Sequence, residues 1–201
     1  VAKQMGLPVD QLVIATNKND ILDRGVRTGA FVPGTVTPST SPSMDIQVSS
    51  NFERLMFDLS GRDAASVQGR LSDTRAGFSL NEDEHAKLTG LFASGRCDDA
   101  MAGEWIARTY AEPGTLVDTH TAVGLAAADL APRRDGVPMV TLATAHPAKF
   151  PDAVEAASGI RPTPPDRLAH VLDAAERATP VAADTRAVAD LVLERSRAVT
   201  V

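Results

Sequence analysis

The chain has 201 residues, 43% of them apolar and 23% charged, ordinary proportions for a globular protein with a sizeable core. Its net charge of −6 and pI near 5.2 disfavour nucleic acid or an anionic membrane surface as a partner. One cysteine, Cys97, excludes an internal disulfide and suits a reducing, cytoplasmic compartment, and no apolar stretch approaches a membrane span.

The first residues, Val1 to Gly6, read as the last turn of a helix with Gly6 as its C-cap, which suggests a piece of something longer. The short apolar run Gln11–Thr16 is expected to be a strand buried on both faces. Asn17 to Asp20 end it, and Asn19 or Asp20 can cap a helix over Ile21–Thr28 that Gly29 stops. Strand, polar loop and helix in that order are the rhythm of an α/β unit, and ligands of open parallel sheets sit at the carboxyl ends of strands. Asn17 and Asn19 therefore fall at a ligand edge.

Pro33, Gly34, Pro38 and Pro42 make residues 30–43 a loop. Ser49 or Ser50 then caps a helix through Leu59 that buries Phe52, Leu55, Met56 and Leu59. A short helix is predicted over Arg62–Leu71 and an extended piece over Gly77–Ser79. Ser79 with Glu82 reads as a capping box opening a helix to about Ser94. Asp98 or Asp99 opens the helix carrying Trp105, Ile106 and Tyr110, and Thr119 or Thr121 opens an Ala-rich helix to Leu130. Pro138–Ala143 reads as a second buried strand, followed by the loop Thr144–Phe150 and a helix from Pro151 to Ser158 with proline at its first position. Helices near Asp166–Arg177 and Asp184–Arg197 end the chain. Two isolated strands do not make a stable parallel sheet, so further strands are expected in a portion not contained here.

Three segments carry chemistry. Ser41–Leu55 crowds hydroxyls, amides and paired charges at a helix mouth, which suits an anionic small molecule, although a proline turn and a capped helix account for it equally. Within it Asp45 and Arg54 stand out, since arginine grips a phosphate or carboxylate with two parallel hydrogen bonds. Thr144–Phe150 offers a hydroxyl at a strand end, with His146 to relay protons and Lys149 to meet an anion; a turn leading into a helix is the plainer account. Asp118-Thr119-His120-Thr121 invites a catalytic role or, alternatively, a capping aspartate beside a half-buried histidine. The four histidines share no metal-binding spacing, so zinc is not expected. No dinucleotide fingerprint, P-loop or serine elbow occurs, and Cys97 reads as incidental.

The blocks Ala15–Leu22, Ser41–Ile46 and Ser49–Arg54, followed by His120-Thr121-Ala122 and Thr144–Phe150, resemble in order the threonine synthases of the longer bacterial and fungal class. Thr119 stands where that family usually has proline. The resemblance implies an α/β fold, an incomplete part of a tryptophan synthase β-like (fold type II) enzyme, with residues 1–157 belonging to the catalytic domain. A helical insertion would span 60–113, and C-terminal helices over 158–201 would pack on the domain. It further implies pyridoxal 5′-phosphate as cofactor and O-phospho-L-homoserine as small-molecule substrate, converted with water to L-threonine and phosphate.

Carried over residue by residue, Thr144 matches the residue facing the cofactor's pyridine nitrogen. Asn19, Ser43, Asp45, Asn51, Arg54, His120, His146 and Lys149, with Asn17, match positions around the substrate. The Schiff-base lysine of the family lies upstream, and none of Lys3, Lys18, Lys87 and Lys149 sits in its motif. The segment is thus expected to be inactive alone and to need the N-terminal part of the same enzyme. The rival expectations are a related phospholyase and a non-catalytic paralogue or binding module derived from the C-terminal half.

Overall fold

The computed structural model describes residues 2–72, 76–171 and 173–197. One compact unit takes in the chain as far as Pro164, and a second begins at Pro165.

The first unit is organised by β1 (Leu12–Thr16) and β4 (Phe92–Arg96), which pair in parallel with Leu12 opposite Phe92 and Thr16 opposite Arg96. Between them lie α1 (Ile21–Thr28), β2 (Ala30–Phe31), α2 (Phe52–Leu59), α3 (Ala64–Leu71), β3 (Phe78–Ser79) and α4 (Glu82–Thr89). After β4 come α5 (Asp99–Ala111), α6 (Thr119–Leu130) and α7 (Pro151–Ser158). Two apolar cores result. One gathers Val26, Phe31, Phe52, Met56, Leu59, Val67 and Leu88; the other joins Cys97, Ile106, Val123 and Val154 with a set of alanines. β1 packs directly on α6, and Gly95 in β4 allows this close approach. A Cβ there would lie 2.9 Å from Ala127 Cα, well inside van der Waals contact.

Most sequence-predicted elements are present, and their ends have local causes. Gly29 stops α1 in the left-handed conformation (φ 77°), and Gly159 does the same for α7 (φ 73°). Asp98 caps α5 by accepting from Met101 N–H, and Asp118 caps α6.

Some expectations need correction. The helix predicted from Ser79 to Ser94 is α4 alone, and its capping box is Asn81 with Glu84, not Ser79 with Glu82. Phe92–Arg96 is instead a strand, because its backbone completes the ladder with β1. Pro138–Ala143 is not a strand among the described residues, and Val140 and Leu142 are 76% and 75% exposed. Asp20 occupies the cap position of α1 without capping it. Its carboxylate instead holds Arg24 Nε at 2.9 Å and Arg96 Nε at 3.3 Å. Asn51, not a serine, precedes α2, and its side chain makes no capping bond.

In the second unit the predicted Asp166–Arg177 helix is only α8 (Asp166–Ala169), part of the remainder falling outside the described residues. The last predicted helix is α9 (Thr185–Arg195), capped by Asp184 accepting from Ala187 N–H. No described helix is long and apolar enough to cross a membrane.

Candidate active site

The polar loop leaving β1 is tied to the proline-rich loop by one carboxylate. Asp45 Oδ1 accepts from Asn17 Nδ2 (2.8 Å), Asn19 Nδ2 (2.9 Å) and Ser39 Oγ (2.6 Å), while Oδ2 accepts from Ser39 N–H (2.9 Å). Asn17 and Asn19 are buried, 1% and 3% exposed, so their amides depend on these partners. Asn17 also donates to Ser41 Oγ (3.1 Å), and Asn19 is paired with Thr37 through both its amide oxygen and nitrogen. Burial opposes ionisation of Asp45, but bonds from Ser39 and Asn17 and the nearby Lys18 charge outweigh it and hold the carboxyl below its usual range. Lys18 in turn pairs with Asp99 at 2.7 Å, and Thr40 donates to Asp99 through both its backbone and hydroxyl (3.1 Å each), which stitches the same loop to the start of α5.

Asp45 closes a 3₁₀ turn over Pro42–Met44, and that turn faces the start of α6. Ser43 N–H donates to His120 Nε2 at 3.2 Å. Nε2 therefore carries no proton, and Nδ1–H donates to Asp118 Oδ2 at 2.9 Å. Asp118 is fully buried and also accepts from the backbone of His120 (2.9 Å) and of Thr121 (3.0 Å) and from the Thr121 hydroxyl. Thr121 Oγ1 then accepts from Thr144 N–H at 3.1 Å. Phe150 lies against the His120 ring, 4.5 Å between centroids.

The predicted site residues thus divide. Asn17, Asn19 and Asp45 belong to one hydrogen-bonded cluster at the carboxyl end of β1, and Ser43, His120 and Thr144 to a second, the two being joined through the Pro42–Met44 turn. His146 accepts from Ala148 N–H (3.2 Å) and caps the 3₁₀ turn Pro147–Lys149, while Lys149 Nζ sits 5.8 Å from the Phe150 ring centroid. Asn51 and Arg54 are exposed at the start of α2, whose other face belongs to the Phe31–Met56 core, and no hydrogen bond ties them to either cluster among the described residues. Sequence reasoning missed Thr37, Ser39 and Asp99 as loop anchors. The run of hydroxyls from Ser39 to Ser41 was the visible signal for Ser39 alone.

Burial, reinforced by Asp98 and Asp99, pushes the Cys97 thiol up to about 12. At pH 8 its thiolate fraction is then roughly 10⁻⁴, against a fifth or more for an ordinary thiol. Alkylation by iodoacetamide is expected to be at least about 100-fold slower in the native protein than in denaturant. Equal rates in the two conditions would show that Cys97 is accessible and ionisable.

A family profile described as "Threonine synthase, C-terminal" matches residues 121–192. The threonine synthase of Pseudomonas aeruginosa is 47% identical over 182 residues, covering 89% of this chain and 39% of the relative. Among solved structures, the PLP-bound threonine synthase from Brucella melitensis superposes with a TM-score of 0.82 at 43% identity, over 98% of this chain and 42% of that one. The yeast enzyme gives 0.70 at 36% identity, over 78% and 34%.

The fold is therefore an incomplete part of the fold type II α/β class, seen from its C-terminal side. The chain belongs to the threonine synthase family, of which it is the C-terminal portion. It spans about two fifths of the length of the relatives it matches.

Proposed function

We propose that this segment completes a threonine synthase, which converts O-phospho-L-homoserine and water into L-threonine and phosphate with pyridoxal 5′-phosphate. The observation that carries this reading is the setting of Thr144. Its backbone N–H is held by Thr121, its side chain is exposed, and no hydrogen bond occupies its hydroxyl among the described residues. A neutral, available hydroxyl on an anchored backbone is what a pyridine nitrogen requires if it is to be bonded without being forced to take a proton. The bound cofactor supplies an electron sink for carbanion and elimination chemistry.

The remaining roles follow from exposure. Ser43, Asn51, Arg54, His146 and Lys149 have exposed side chains and would meet the substrate, with Arg54 and Lys149 matching its phosphate charge. Asn19, Asp45 and His120, largely enclosed, would shape the loop that presents them. The partner is the N-terminal part of the same enzyme. The exposed run containing Met139, Val140 and Leu142 is the kind of apolar extended segment that such a portion would cover. Residues 1–157 would complete the catalytic domain, with 60–113 contributing β4 to its sheet as well as helices, and 158–201 would supply the C-terminal helices. The enzyme would work in the cytoplasm, where Cys97 stays reduced.

The test is phosphate release from O-phospho-L-homoserine by a protein extended upstream to the length of its relatives. Turnover is expected there and none from the 201-residue chain, because no lysine here occupies the Schiff-base motif. Arg54→Ala and Lys149→Ala are each expected to raise KM about 10- to 100-fold. An extended protein that binds cofactor but releases no phosphate would overturn the proposal.

A further inference from the structure

We propose that Asp118 is a positioning residue that sets the hydrogen-bond direction of two loops at once, that of the Pro42–Met44 turn and that of Thr144. The inference rests on the reading of Thr144 and Ser43 given above. Its basis is the arrangement of partners around one buried carboxylate.

One oxygen, Oδ1, accepts from Thr121 N–H and from the Thr121 hydroxyl. With its proton directed at Asp118, that hydroxyl presents only lone pairs outward, and it can receive Thr144 N–H. The other oxygen, Oδ2, accepts from His120 N–H and Nδ1–H. With its proton on Nδ1, the imidazole presents an unprotonated Nε2 and can receive Ser43 N–H. Two backbone donors from separate loops are therefore met by acceptors whose polarity one carboxylate imposes.

An isosteric amide cannot do both. If Asp118→Asn keeps its oxygen toward Thr121, its NH₂ faces His120 N–H and favours the tautomer protonated at Nε2, which then opposes Ser43 N–H. If it turns round, its NH₂ faces Thr121 N–H and drives the hydroxyl to rotate its proton toward Thr144 N–H. One of the two relays must break.

The two branches have different readouts in the protein extended to full length and loaded with pyridoxal 5′-phosphate. Thr121→Val removes only the Thr144 branch. It is expected to weaken cofactor binding to the apoprotein about tenfold and to shift the cofactor absorbance in the same direction as Thr144→Val, with Thr121→Ser returning both toward wild type. His120→Leu removes only the Ser43 branch and is expected to raise the KM for O-phospho-L-homoserine several-fold with the cofactor spectrum unchanged. Asp118→Asn is expected to show at least one of these signatures. Should Thr121→Val fail to fold, Thr121→Ala makes the same comparison.

A shift in Thr144→Val with none in Thr121→Val or Thr121→Ala would overturn the relay and leave the Thr144 assignment standing. No shift in Thr144→Val would overturn that assignment and the relay with it. Asp118→Asn with wild-type cofactor affinity, spectrum and KM would overturn the common role of the carboxylate.

Discussion

Replacing Asp45 by alanine is expected to cost the intact protein about 3–5 kcal/mol, read as a lower denaturation midpoint. The carboxylate is the common acceptor of Asn17, Asn19 and Ser39, and both asparagines are buried. Its removal leaves several donors without partners, at about 1–3 kcal/mol for each one that water cannot reach. Asp45→Asn separates charge from shape. One amide oxygen can still serve the three donors at Oδ1, but the NH₂ then opposes Ser39 N–H, so a smaller loss of about 1–2 kcal/mol is expected.

The pH dependence has a definite sign. The folded-state carboxyl lies below its unfolded value, so its contribution is present above the unfolded pKa and disappears as pH falls through the folded one. The gap in stability between wild type and Asp45→Asn should therefore be constant near neutrality and close in acid, below about pH 4. A gap that stays constant down to pH 2, or a neutral Asp45→Ala, would mean that Asp45 is not the anchor of this loop.

Gly25→Ala is the second large effect, and two opposing effects decide it. In the middle of a helix, alanine is favoured over glycine by about 1 kcal/mol. At this position, however, the new methyl would lie 2.1 Å from Phe31 Cε1. That ring is held by its aromatic neighbours. It is 2% exposed, stacked on Phe78 at 4.9 Å and tilted against Phe52 at 4.6 Å. Overpacking of this kind costs about 1–3 kcal/mol and more when the neighbour is itself fixed, so it outweighs the helical gain. A net loss of about 2 kcal/mol is expected from chemical denaturation. An unchanged or raised midpoint would show that the aromatic cluster yields. Phe31→Leu in the same background should recover part of the loss by making room, a coupling that a double-mutant cycle would measure.

What could be read from the sequence followed local signals. Leu12–Thr16 carries enough apolar and β-branched side chains to announce a strand, and α1 and α7 end at glycines that adopt the left-handed conformation. Phe92–Arg96 has no β-branched residue and contains Ser94 and Gly95, so nothing local marks it. Its strand character comes from β1 and from the close packing on α6 that Gly95 permits. The opposite error at Pro138–Ala143 has the matching cause. An apolar run states that a segment is suited to burial, but the ladder partners that would make it a strand are not among the described residues. At the site, the density of polar residues in Ser41–Leu55 was visible. The division between a knot around Asp45 and an exposed helix start at Asn51 and Arg54 was not, because it depends on which way the loop folds over β1.

The pairing of β1 with β4 has a consequence for how the chain reaches its native state. Every rung of that ladder joins residues about 80 positions apart, and α1, the Phe31–Phe52–Phe78 cluster and α4 all lie inside the loop so closed. Closing a loop of that length in an unstructured chain costs entropy before any rung rewards it. The intervening helices and aromatic cluster shorten the effective tether if they assemble first. On a ribosome, β1 therefore emerges well before its mate and has to wait for it. Mutations inside the excursion, Gly25→Ala among them, should slow refolding more than mutations of equal cost in α7, which lies outside the loop that the ladder closes.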